Sequence, residues 1–191
     1  DPDLPTPEPV INKLQEEIRK SENHQYSPYE GTLRIRKQVA LHCQNRFGVS
    51  LDPEKEIVAL IGSKEGISHF PLSILNPGDH ALYPSPGYPI FETGILLSGA
   101  TPVALPLRPE NKFLPDLNEF ESLLKKYNPK YCLLNFPSNP TSQVIPRVLL
   151  ADIVSLARKY QTILGYDNAY SEIYFDEMQK PLSILEIEGA K

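Results

Sequence analysis

Asp167 stands at the end of a short apolar run, Q-T-I-L-G-Y-D-N-A-Y over 161–170, with Tyr170 three positions later. Such a run is the pattern of a strand buried in a parallel sheet. A charge at the tip of a buried strand is costly unless something pairs with it. Ligands of open α/β sheets collect beyond the carboxyl ends of the strands, so Asp167 is expected to face a group that takes a negative charge. Three other loops carry residue types suited to holding a ligand. Gly62-Ser63-Lys64-Glu65-Gly66 follows the run E-I-V-A-L-I at 56–61 and opens a helical pattern. Small residues let a phosphate reach the backbone, and a helix start offers it N–H groups. Tyr88, held in Pro86-Gly87-Tyr88-Pro89, makes a flat wall for an aromatic ligand. Asn139 lies in N-F-P-S-N-P-T-S at 135–142. Pro140 forces it extended, which can aim its amide at a fixed point. Taken singly, the 62–66 loop is as readily a tight connection, Tyr88 reads first as a core or surface aromatic, Asn139 as plain turn chemistry, and Asp167 as a helix cap or surface carboxylate. Four such loops after four successive strands make the case for a site.

The elements that would position these loops are punctuated by proline, 20 of 191 residues, about twice the usual ~5%. Residues 1–9 are too proline-rich for regular structure. Thr6-Pro7 reads as a cap for an amphipathic helix over about 7–20, with Ile11, Leu14 and Ile18 at helical spacing. Residues 24–31 form a loop, Thr32 opens a helix to about Phe47, and Gly48 closes it. The run at 56–61 is expected to be the first strand, followed by a helix through Ile67, Phe70, Ile74 and Leu75. Strands are expected at 80–83, 101–107 and 131–136, and in the stretch ending at Asp167. Between them lie a helix ending near Gly99, one capped by Asp116 with Leu117, Phe120, Leu123 and Leu124 on one side, and one starting at Pro146. Residues 176–180 read as exposed. Strands alternating with helices give an α/β fold, a three-layer α/β/α arrangement around a mostly parallel sheet.

Composition limits the function. Hydrophobic residues make up 40% and charged residues 23%, with a net charge of -5, so no basic face argues for nucleic acid. No apolar run is long enough to span a membrane. No signal peptide opens the chain, and its start, lacking Met, reads as cut. Cys43 and Cys132 are lone residues, read as reduced thiols of a cytoplasmic protein. His24, His42, His69 and His80 lack metal-ligand spacing, so no metal is assigned. The loop at 62–66 is not a Walker loop, and no GxGxxG is present.

In order, G-S-K-E-G, P-G-Y-P, N-F-P-S-N-P-T-S and Y-D-N-A-Y, with Y-S-P-Y-E-G near Tyr26 and the opening D-P-D-L-P-T-P, the chain resembles the fold-type I pyridoxal-phosphate enzymes, class I/II aminotransferases. The wording of G-S-K-E-G-I and N-P-G-D is most similar to the LL-diaminopimelate aminotransferase branch. The resemblance implies an aminotransferase moving an amino group between an amino acid and a 2-keto acid, with pyridoxal 5'-phosphate as cofactor. It implies that backbone N–H groups around Ser63 and Lys64 hold the phosphate and that Tyr88 stacks on the pyridine ring. Asn139 and Tyr170 would bond the phenolic oxygen, and Asp167 would pair with the ring nitrogen. Tyr26 would reach the neighbouring subunit's phosphate, which requires a homodimer. Residues 1–24 would be an N-terminal segment and helix, and 25–191 an incomplete large cofactor-binding domain.

Two departures follow from the same resemblance. Ser142 stands where the family usually has glycine. The family's Schiff-base lysine and its substrate-carboxylate arginine belong to segments beyond Lys191, and Lys64 matches the phosphate loop instead. The first strand would pair with a strand not in this chain, leaving open edges. An inactive fragment serving as a binding or assembly module therefore stands beside the enzyme reading, as does a lyase or decarboxylase of the same fold.

Overall fold

The computed structural model describes residues 4–177 and 180–191. Strands β1 (His80–Ser85), β2 (Thr101–Pro106), β3 (Tyr131–Asn135) and β4 (Ile163–Asp167) form one sheet in the order β2-β1-β3-β4. Every neighbouring pair is parallel. Helices α1 (Glu8–Glu17), α2 (Leu33–Phe47), α3 (Ser63–Ile74), α4 (Ile90–Leu97), α5 (Leu117–Tyr127) and α6 (Arg147–Lys159) alternate with the strands after β1 and lead up to it before.

Local chemistry sets the helix ends. The Thr32 side chain accepts the Ile35 N–H at the start of α2, and Gly48 closes that helix at φ 69°. Asp116 accepts the Glu119 N–H at the start of α5, and Asn128 ends it at φ 43°. Each such cap contributes about 0.5–2 kcal/mol.

The sheet separates two cores because successive strand residues point to opposite faces. Cys132 and Leu134 of β3 join Leu82, Leu105, Phe120, Leu124, Leu150 and Ile153 on the α5/α6 side. Tyr131 and Leu133 join Ala81, Leu75, Phe91 and Ile95 on the α3/α4 side. All five positions of β3 are buried. The result is the three-layer α/β/α arrangement expected from the alternation of elements.

Residues 56–61 depart from expectation in forming no strand. Their backbone is held by a bond from Ala59 N to Glu30 O at 2.9 Å. An apolar run becomes a strand only where a neighbour completes its ladder, and none of the four strands pairs with this one. Ile57 is buried, but Ile61 is 96% exposed. The first helix forms as expected, although Pro7 rather than Thr6 takes the cap position and α1 buries none of its residues. Its Lys13 and the following Lys20 pair with Glu16 and Glu17 instead. Of the segment expected to be exposed at 176–180, Asp176, Glu177 and Lys180 are exposed, and residues 178 and 179 lie outside the described residues. Among the described residues no helix is long and apolar enough to cross a membrane, and no group of three or more His, Cys, Asp or Glu could hold a metal ion.

Candidate active site

The carboxyl ends of β3 and β4 lie side by side, with Asn135 and Asp167 as register partners. Asn135 is 2% exposed. Its Nδ2 donates to Asp167 Oδ2 at 3.1 Å and to Asp167 O at 3.2 Å. Its Oδ1 accepts the Asn139 N–H at 2.7 Å. One amide thus links the strand-tip carboxylate to the proline-rich loop that follows β3. In the sequence alone Asn135 is the first residue of the N-F-P-S-N-P-T-S loop and carries no role of its own. The available signal was the pairing of two apolar runs, Y-C-L-L-N and I-L-G-Y-D, each closed by a polar residue.

Asp167 is half-buried. Burial raises its carboxyl above the ordinary value, and the Ala169 N–H partly opposes that rise. It shares a cavity of about 530 Å³ with Leu60, Ser63, Gly66, Ile67, Phe70 and Tyr131. Burial also pushes the Tyr131 phenol up, so it is neutral at any ordinary pH. Beside Asp167, Asn168 Oδ1 is buried without a hydrogen-bond partner among the described residues.

Ser63 opens α3 directly after Gly62, whose φ is 129° and which offers no capping side chain. A Cβ at position 62 would meet nothing within 4 Å, so the helix start is open to an anion. Glu65 turns back, its carboxylate accepting the Ile61 N–H at 2.8 Å. Lys64 Nζ lies 5.5 Å from the centre of the Tyr88 ring. That ring meets Phe91 edge-on at 6.0 Å.

Asn139 and Tyr170 border a second cavity of about 600 Å³, with Pro137, Ser138, Ile173 and Tyr174. The Ser142 N–H donates to Ser138 O at 2.7 Å across the loop. Ser142 itself sits at φ 57°, the left-handed conformation that a glycine adopts without cost. The site residues therefore gather in three groups: Ser63 with Asp167, Asn139 with Tyr170, and Lys64 with Tyr88. Tyr26 is fully exposed, and neither it nor Tyr88 borders these two cavities.

A family model for aminotransferase class I and II matches residues 1–190. The chain belongs to the class I and II aminotransferase family. Within that family it is 46% identical over 191 residues to an LL-diaminopimelate aminotransferase from Halothermothrix orenii, covering 100% of this chain and 49% of that protein. An LL-diaminopimelate aminotransferase from Aquifex aeolicus is 46% identical over 192 residues, with the same coverage. Among solved structures, an aminotransferase from Staphylococcus aureus superimposes with a TM-score of 0.91 at 32% identity, over 99% of this chain and 49% of the other. The N-succinyldiaminopimelate aminotransferase from Mycobacterium tuberculosis does so with a TM-score of 0.92 at 27% identity, again over 99% and 49%. The chain thus spans about half the length of the aminotransferases it matches.

Proposed function

We propose that this chain is the cofactor-binding part of an aminotransferase that moves an amino group between an amino acid and a 2-keto acid with pyridoxal 5'-phosphate. The observation that carries this reading is the half-buried Asp167 carboxylate, fixed by Asn135 at the tip of a parallel strand. It shares a cavity with the start of an uncapped helix. A fixed anion at one end and an anion-accepting helix start at the other match a cofactor with a cationic ring nitrogen and a phosphate. The open space at Gly62 fits the phosphate end.

The cofactor, when bound, supplies an electron sink for the substrate's α-carbon. Asp167 would keep a proton on the ring nitrogen, because a carboxylate partner favours the charged form. The N–H groups at Ser63 and Lys64 would hold the phosphate. Tyr88 would cover one face of the ring, and Asn139 and Tyr170 would bond its phenolic oxygen. Tyr26, standing in solvent, would complete the site of a second copy in a homodimer. Residues 25–191 would form the large domain, preceded by the segment 1–24. The unpaired thiols Cys43 and Cys132 support a reducing, cytoplasmic setting. The names of the relatives support LL-diaminopimelate as the amino acid.

The test uses the full gene product. Borohydride reduction with pyridoxal 5'-phosphate should label one lysine, and Asp167→Ala should lower turnover by about 10²–10³-fold while weakening cofactor affinity far less. Unchanged turnover in that variant would count against the assignment. A protein in which no lysine is labelled would favour a second reading, an assembly module, for which the exposed Leu60 and Ile61 are the specific observation.

A further inference from the structure

We propose that Asn135 is a positioning residue that sets the orientation and charge of Asp167 and locks the 135–142 loop to it. Asn135 closes β3, opposite Asp167 in the parallel register. Its amide does two different things at once. The nitrogen donates to the carboxylate and to the main-chain oxygen of Asp167, and the oxygen accepts from Asn139. The Asp167 main-chain oxygen also accepts the Phe136 N–H at 3.2 Å, so the strand tip is held both by the Asn135 side chain and by the backbone just past β3.

Few side chains can replace it. Both functions need a donor and an acceptor on one short planar group. Aspartate keeps the acceptor for Asn139 but turns a second carboxylate on Asp167. Leucine fills the space and loses all three bonds. Buried as it is, neither change can be made good by water. An N–H aimed at a carboxylate favours its ionised form, so Asn135 opposes the effect of burial on Asp167. Among the residues lining the cavity that Asp167 faces, Tyr131 on β3 and Tyr166 on β4 are the other titratable groups, and burial keeps both neutral; from α3 come Ser63, Gly66, Ile67 and Phe70, none of them charged. Asn135 thus supplies a side-chain hydrogen bond to that carboxylate, beside the Ala169 N–H, which also opposes the effect of burial.

The role of Asn135 toward a cofactor rests on the function proposed above; its hold on Asp167 does not. The experiment therefore has a cofactor-free arm and a loaded arm, both on the full gene product. In the first, the Asp167 side-chain carboxyl is titrated by carbon NMR in wild type, Asn135→Leu and Asn135→Asp. Asn135→Leu should shift the midpoint upward. Asn135→Asp, which is isosteric and serves if the leucine variant fails to fold, should give a coupled pair with one midpoint raised by about one unit or more. An unmoved Asp167 midpoint in the folded variants overturns the proposal, whatever the cofactor does.

In the second arm, the absorbance of added pyridoxal 5'-phosphate is followed against pH. In Asn135→Asp the spectrum should match wild type at low pH, where the introduced carboxyl is protonated and can donate to Asp167, and depart from it as pH rises. A purely structural role would give the same departure at every pH and would overturn the proposal. A shifted Asp167 midpoint with no cofactor bound by wild type would instead support the hold on Asp167 and reject the cofactor reading.

Discussion

Burial raises the Asp167 carboxyl. An acid whose folded-state pKa lies above its unfolded value binds more protons folded than unfolded between the two. Stability therefore falls as pH climbs through that interval. At pH 7 the ionised Asp167 lowers the stability of the empty protein, a cost that a cationic partner would remove. Asp167→Asn should accordingly melt at a higher temperature than wild type at pH 7 without cofactor. The gap should close on acidification, once wild type is itself protonated. A melting temperature no higher than wild type at pH 7 would refute this. At the scale of single residues, the sequence pointed to Asp167 through its place after an apolar run. It did not point to Asn135, because a polar residue before Phe-Pro reads as ordinary turn chemistry, and its value depends on a strand 32 positions away.

Among the elements, β4 depends on one small residue. A Cβ at Gly165 would run into the ring and hydroxyl of Tyr131 on β3, and Tyr131 is itself packed against Phe70 of α3 at 5.6 Å. Gly165→Ala should destabilise the fold by about 1–3 kcal/mol, read from a urea unfolding midpoint. Adding Tyr131→Leu should recover part of that loss, since contacting sites do not add independently. If the single variant unfolds at the wild-type midpoint, the contact is not limiting. Helices were readable because their signals are local: Thr32, Gly48 and Asp116 act within a turn of their own positions. The run at 56–61 shows the limit of local signals: its apolar pattern predicts a strand, and only the resemblance implies that it stands apart from the other four. A hydrophobic pattern shows that a segment avoids water, but a strand also needs a neighbour, and pairing is not written in the segment itself.

At the scale of the whole sheet, β4 has a neighbour only on its β3 side among the described residues, and its Ile163 is exposed. The groove between β4 and α3 is apolar, and Leu60 reaches into its lining from the unpaired 56–61 segment. An uncovered strand edge is a template for another chain. The 191-residue chain alone should therefore scatter light as a mixture heavier than one copy, increasingly so with concentration. A monodisperse monomer across that range would contradict the exposed edge. The alternation of elements made the class of the fold legible, whereas which edges stay bare could be inferred only from the resemblance. β3, by contrast, is enclosed on both faces and paired on both edges. Its five positions leave inherited variation the least room: a change there survives only if the layers above and below change with it.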